Sequence, residues 1–342
     1  FDVLTMPDHF TDQLAPVPAL MSVADATTKL RVGALVWDND YKHPVVLAKE
    51  LATMDLLSDG RLELGIGAGW MISDYEQMGI PYDSAKVRID RFVEGLKVIK
   101  GAMAEGPFSF SGDHYTITNY NGTPKPVQAP CPPILIGGGG KRVLSIAARE
   151  ADIVGINATM SAGVVGQHTF STMTAEVVDE KVAIVREAAG ARFNDIEMNV
   201  RAFLVSITDD AKQAASGIAS MLGVEQQMVE ESPFALVGPT SKLIEDLLER
   251  RERWGFSYVI VGADEANDLA LIEISPDLPW LRESEVFAER GWWTMAMGNP
   301  AEPDLKVTLD RYVSFGYIGY VLDEYWNYTS ATLNRGNSGG PL

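Results

Sequence analysis

Ile134-Leu135-Ile136-Gly137-Gly138-Gly139-Gly140-Lys141-Arg142 reads as a short apolar strand that runs through four glycines into a helix. An apolar run this short, closed by glycine, has the length and punctuation of a buried strand. The helix start beyond it offers free backbone N–H groups and the positive end of the helix dipole, a natural seat for a phosphate. Lys141 and Arg142 place cations where they oppose that dipole, at a cost of about a few tenths of a kcal/mol unless an anion is bound. The stretch is not a P-loop. Leu135 stands where the first glycine would be, and Arg142 where Ser or Thr would be.

Outward from this stretch the same unit recurs. Strand candidates are Val3–Met6, Leu30–Val36, Arg61–Ile66, Pro133–Ile136, Ile153–Ile156, Asn199–Ile207 and Tyr258–Val261. A helix opens at His43-Pro44, with Val46, Leu47, Leu51, Met54 and Leu57 as an apolar stripe. Another spans Ala85–Ala104. A third spans Thr240–Trp254, with Thr240 as its cap, Leu243, Ile244, Leu247 and Leu248 inward, and Gly255 as its stop. Repeated strand–helix alternation means parallel strands with crossover helices, either as an open doubly wound sheet or as a closed barrel. Seven units favour the barrel. The expected fold is therefore α/β, a TIM (β/α)8 barrel lacking its first strand and helix, which would precede Phe1. The barrel domain takes residues 1–270, and a C-terminal extension of unknown role takes 271–342. Phe108–Asn121 interrupts the alternation as a small hairpin, and Ser161–Met173 as a loop.

Composition narrows the function. The net charge of −19 argues against nucleic acid and against an anionic membrane surface. No apolar run is long enough to span a membrane, and no signal peptide opens the chain, so a cytoplasmic location is expected. One cysteine, Cys131, leaves no disulfide framework; flanked by prolines and lacking a nearby base, it reads as inert. No His/Cys/Asp/Glu group has metal-ligand spacing. The extension holds four of the seven tryptophans and ends Gly336-Asn337-Ser338-Gly339-Gly340-Pro341-Leu342, similar to the nucleophile loop of trypsin-like serine proteases. Nothing upstream supplies the His and Asp of such an enzyme on its double barrel.

In a parallel barrel, chemistry sits where strands end. Asp8 and His9 directly follow the first strand, and histidine is suited to moving protons near neutral pH. Gly33-Ala34-Leu35-Val36-Trp37 is a strand end with small residues, read on its own as ordinary packing. Leu64-Gly65-Ile66-Gly67-Ala68-Gly69-Trp70 leaves a strand through alternating glycines, which permit close backbone approach to a ligand. It fails the Rossmann spacing. His43, at a helix start, reads as structural; His114 lies in the hairpin and His168 in a loop.

Taken together, these segments resemble the luciferase-like monooxygenase family, especially its deazaflavin (coenzyme F420) branch, over about Phe1 to Ala270. The marks are Met6–Phe10, Leu47-Ala48-Lys49-Glu50-Leu51-Ala52-Thr53-Met54-Asp55, Gly60–Trp70, Arg88-Ile89-Asp90-Arg91-Phe92 and Pro132–Gly138. The resemblance implies a tricyclic ring in the barrel mouth with Asp8 and His9 beside it. It implies a non-proline cis peptide near Ala34-Leu35, so that Ala34, Leu35 and Val36 form a bulge behind the ring. It places Gly67, Ala68 and Gly69 along the cofactor, and Gly137, Gly138, Gly139, Gly140 and Lys141 at its phosphate. Sugar-phosphate dehydrogenases of the branch carry a catalytic glutamate where Trp70 stands here, which argues against that substrate. Trp37 and Trp70 suggest an apolar or aromatic substrate pocket. The expected activity is F420-dependent hydride transfer on a small organic substrate, by a chain that could pair as a homodimer. The alternatives are an FMN-dependent monooxygenase using oxygen, a non-catalytic cofactor-binding protein, and an inactive fragment.

Overall fold

A computed structural model describes residues 2–160 and 162–261, together with the backbone of three later strands. The chain runs β1 (Val3–Met6), α1 (Pro16–Ala26), β2 (Arg31–Ala34), β3 (Trp37–Asp38), α2 (Pro44–Leu57), β4 (Leu62–Gly67), α3 (Ile72–Met78), α4 (Ala85–Met103), β5 (Phe108–Ser111), β6 (Thr116–Tyr120), β7 (Ile134–Gly138) and α5 (Lys141–Glu150). It continues through β8 (Ile153–Ile156), α6 (Gln167–Phe170), α7 (Ala175–Ala189), β9 (Glu197–Ala202), β10 (Leu204–Ile207), α8 (Ala211–Leu222), α9 (Gln226–Glu231), β11 (Ala235–Gly238), α10 (Thr240–Trp254) and β12 (Phe256–Val261).

The main sheet has the spatial order β1-β2-β4-β7-β8-β9-β12, every neighbouring pair parallel, with β3 resuming the pairing onto β4. These are the seven strands expected from the sequence, curled into a half-barrel. The curl is visible in one contact: the Tyr258 hydroxyl on β12 donates to Glu63 on β4 at 2.9 Å, across the interior and past three intervening strands. Arg31 on β2 pairs with the same carboxylate at 3.1 Å. Alternation sets the rest. Glu63, Gly65 and Gly67 share one face of β4, while Leu62, Leu64 and Ile66 are fully buried in the main core. Each such aliphatic side chain stabilises by about 1.5–3 kcal/mol, which makes this face the one that fixes register.

Several expectations change. The run Asn199–Ile207 is two strands. Phe203 belongs to neither, and its N–H bonds the Phe234 carbonyl at 2.9 Å. There the chain leaves the main sheet, and β10 pairs in parallel with β11, a strand the sequence reading missed. Helix α1, with Pro16 and Pro18 in its first turn, was also missed. In α10, Ile244 and Leu248 are exposed, because a helix turns about 100° per residue and the inward row is Leu243, Arg250 and Trp254. Thr240 makes no capping bond, and Pro239 precedes the helix instead. Val46 and Leu57 on α2 are likewise exposed, while Leu47, Leu51 and Met54 are buried. The hairpin is as expected, β5 against β6. The segment read as a loop contains α6, and its Ser161 lies outside the described residues.

In the C-terminal extension, β13 (Trp293–Ala296), β14 (Ser314–Asp323) and β15 (Trp326–Thr329) form an antiparallel sheet of their own. Gly336–Leu342 and residues 262–270, where the domain boundary was set, lie outside the described residues. Among the described residues no helix is long and apolar enough to cross a membrane, and no group of His, Cys, Asp and Glu is arranged to hold a metal.

Candidate active site

The carboxyl rim of the half-barrel is built from the loops that follow β1, β2, β4 and β7. His9, just past β1, meets Asp74 at the start of α3: Nδ1 to Oδ2 is 2.6 Å. Asp74 is fully buried and also accepts the Tyr41 hydroxyl at 2.8 Å and the Phe10 N–H at 3.2 Å. A carboxylate can only accept from a histidine nitrogen, so Nδ1 carries the hydrogen and Nε2 is left for another partner. The Trp70 ring stands edge-on to the imidazole, centroids 5.7 Å apart. Asp74 and Tyr41 went unread in the sequence. The contact spans 65 residues, and no local spacing announces it.

A second acidic group lies beside the first. Asp8 accepts the Asp38 N–H at 3.3 Å, and burial pushes its carboxyl up. Asp38 accepts the Asp40 N–H at 2.9 Å, and burial raises its carboxyl from 3.8 to about 7, with the charge of Asp40 adding to the effect. The Tyr75 hydroxyl sits 3.2 Å from Asp38 and 3.0 Å from Asp40. One hydroxyl has one proton to give, so a protonated Asp38 donating back to the Tyr75 oxygen satisfies both contacts. Arg91 grips Asp40 with Nε at 2.7 Å and Nη2 at 2.9 Å, and reaches Asp83 at 2.9 Å. Arg88 lies over the Tyr82 ring at 4.1 Å and donates to the Asp83 and Gly69 carbonyls. Both arginines of the Arg88–Phe92 motif thus hold the rim loops together.

The raised Asp38 carboxyl has a stability consequence. Below an ordinary carboxylate pKa the group is neutral whether the chain is folded or not. As pH rises from 3.8 toward 7, the unfolded chain releases this proton while the folded one keeps it, and stability falls. For this group alone the loss is at most roughly 4 kcal/mol. Asp38→Asn abolishes the titration. Urea unfolding at about pH 4 and pH 8 is expected to show the wild type losing stability relative to the variant across that window, and parallel curves would contradict the assignment.

The glycines divide into two kinds. At Gly65 a Cβ would lie 2.0 Å from the Ala34 carbonyl oxygen, at Gly33 2.7 Å from that of Glu63, and at Gly67 2.8 Å from Val36 Cγ2. These glycines let β4 approach the bulge Ala34–Val36, where the Leu35–Val36 peptide is cis, one bond along from the expected place. Gly69, at φ +72°, brings the backbone against the Tyr75 hydroxyl and Asp38, with Ala68 half-buried beside it. Gly139 is equally tight, 2.2 Å from the Ala158 carbonyl, and Gly138 packs on Val143. Gly137 and Gly140 differ. A Cβ at Gly137 would meet only a carbonyl at 3.9 Å, and one at Gly140 nothing within 4 Å. Gly140 caps α5 without a side-chain bond, so the first-turn N–H groups of α5 have no side-chain acceptor among the described residues. Lys141 is exposed, and its side chain makes no hydrogen bond or ion pair among the described residues. A phosphate fits this place. Arg142 does not serve it: its guanidinium turns to α4 and pairs with Asp90, which offsets the charge that the sequence reading left uncompensated.

Trp37 departs from expectation. It is 1% exposed and packs within the main core, so it does not open onto the mouth. His43 caps α2 through its own Nδ1, a structural role, and burial pushes the Cys131 thiol up, in keeping with an inert residue.

The family model of the luciferase-like monooxygenases matches residues 1–256. The chain belongs to this family. Among curated relatives, an FMNH2-dependent dimethylsulfone monooxygenase of Pseudomonas putida is 29% identical over 197 residues, 58% of this chain and 50% of the relative. An F420-dependent glucose-6-phosphate dehydrogenase of Amycolatopsis mediterranei is 32% identical over 145 residues, 42% of each chain. This luciferase-like chain spans about half the length of the curated relatives it matches. Among solved structures, the coenzyme F420-dependent tetrahydromethanopterin reductase of Methanopyrus kandleri superposes with a TM-score of 0.63 at 18% identity, covering 77% of this chain and 85% of that one. A monooxygenase from Streptomyces bottropensis gives 0.61 at 21% identity, covering 77% and 82%. The fold is the luciferase-like barrel, and the family's relatives divide between flavin and deazaflavin cofactors.

Proposed function

We propose that this chain is an oxidoreductase using coenzyme F420 for hydride transfer to or from a small organic substrate. The observation that carries the reading is His9, tied through Nδ1 to buried Asp74 and left with Nε2 to exchange a proton on the carboxyl rim. When bound, the deazaflavin supplies the hydride chemistry. His9 holds or takes the substrate's proton at Nε2. Asp74 keeps the imidazole in one tautomer and one orientation. Trp70, T-shaped against the imidazole, bounds the substrate side. Asp8, raised by burial, is a second proton-holding group beside His9. The bulge Ala34, Leu35 and Val36, with Gly67, Ala68 and Gly69, would back the ring. Gly137, Gly140, the first turn of α5 and Lys141 would hold the phosphate, with Gly138 and Gly139 closing the turn. In a chain of net charge −19, a local positive seat of this kind is what an anionic cofactor requires.

A second reading, an FMN-dependent monooxygenase, is favoured by the 197-residue match to an FMNH2-dependent relative. One titration separates the two. F420 and FMN are added separately and the quenching of cofactor fluorescence is followed. F420 is expected to bind with a roughly micromolar Kd and FMN more weakly. Tighter binding of FMN overturns the F420 assignment, and binding of neither overturns both.

A further inference from the structure

Arg201 is an inward-facing cation with no carboxylate partner among the described residues. It lies one residue before the carboxyl end of β9, in register with Ile260 of β12. Its same-face neighbour on β9, Asn199, bonds the Tyr258 carbonyl at 2.9 Å, and Tyr258 itself reaches Glu63 across the interior. The alternate residues Met198, Val200 and Ala202 are buried on the opposite face. Arg201 therefore projects into the barrel at the end where His9 and the glycine loops sit.

The guanidinium carbon rests 4.8 Å from the centre of the Phe203 ring. Its Nε is fully buried and has no hydrogen-bond partner among the described residues. The Arg88 Nε is likewise without a partner, but the Arg88 guanidinium donates to the Asp83 and Gly69 carbonyls, and the guanidinia of Arg31, Arg91 and Arg250 are partnered too. Arg31 pairs with Glu63 and Arg91 with Asp40 and Asp83, while Arg250 donates to the carbonyls of Ser232, Pro233 and Ala235. With 47 acidic residues against 28 basic ones, the chain is not short of carboxylates. Leaving a half-buried cation with a fully buried Nε unpaired is unfavourable unless another group supplies the anion. The planar fork of arginine matches an oxyanion such as carboxylate, sulfonate or phosphate, and the phenyl ring below fixes its plane.

Building on the oxidoreductase reading, we propose that Arg201 binds an oxyanion of the substrate, so that the chain acts on small anionic organic compounds. Burial also weakens the hold of Arg201 on its own proton, a penalty that a bound anion relieves.

The test uses methanesulfonate, benzoate and inorganic phosphate as probes, with dimethyl sulfone and benzamide as neutral counterparts. Each is titrated by tryptophan fluorescence into the bare protein and into protein loaded with whichever cofactor binds. At least one anion is expected to bind and its neutral counterpart not. Arg201→Met, which keeps much of the volume, should weaken that anion at least about tenfold, and Arg201→Lys by less, with cofactor affinity unchanged in both. Thermal unfolding verifies that both variants fold. The proposal is overturned if no probe binds, if Arg201→Met binds the anion as well as the wild type, or if the loss falls on the cofactor instead. Because the bare protein is titrated too, failure of both cofactors to bind would sink the oxidoreductase reading separately.

Discussion

Replacing His9 by alanine is expected to lower kcat by roughly a hundredfold to ten-thousandfold, the range associated with losing a general acid–base group. Nδ1 is committed to Asp74, so Nε2 is the atom through which this side chain exchanges protons. Alanine also strips a donor from a carboxylate that is fully buried, and a stability loss of about 1–3 kcal/mol should accompany the drop in rate. His9→Gln separates the two effects. Its amide can still donate to Asp74, but it takes up no proton near neutral pH. Steady-state kinetics of the glutamine variant should therefore show the rate defect while unfolding curves stay near those of the wild type. A glutamine variant that turns over at the wild-type rate would remove His9 from the chemistry.

Gly65→Ala is expected to cost about 3 kcal/mol or more of folding stability. The new methyl would lie 2.0 Å from the Ala34 carbonyl oxygen, and the obstacle is backbone that cannot swing aside as a side chain would. Relief requires β2 and β4 to separate, which breaks their pairing beside the bulge. Gly140→Ala is the matched comparison, since its methyl meets nothing within 4 Å and the change should cost less than about 1 kcal/mol. Urea midpoints of the two variants decide the matter. If they shift equally, the glycines of β4 are not there for close strand approach.

The strands were legible because each is a short apolar run closed by glycine, proline or a charge. β8 was read to the residue, and β7 to within one residue at its start. The break at Phe203 was not legible, because an unbroken apolar run carries no mark of which sheet it will join. Ala235-Leu236-Val237 was overlooked for a related reason: it abuts the start of α10 with only Gly238 and Pro239 between. At the site, the rim positions of Asp8, His9 and the glycine loops followed from strand ends alone. What sequence could not give was the partner of each group. Asp74 and Asp40 reach His9 and Arg91 across 65 and 51 residues, and glycine as a residue type does not say whether a neighbouring strand or an open space made it necessary. In sequence Arg201 is one more residue of the run Asn199–Ile207, because its lack of a partner among the described residues exists only once the surrounding chain is folded.

The bond from Tyr258 to Glu63, steadied by Arg31, acts as a crossbar inside the half-barrel of the described strands. Among the described residues the curled sheet ends at β1 on one side and β12 on the other. A polar rung tied between opposite staves sets its calibre from within, where packing against outer helices sets it from without. Any ligand held above that rung would rest on strands whose separation the rung holds.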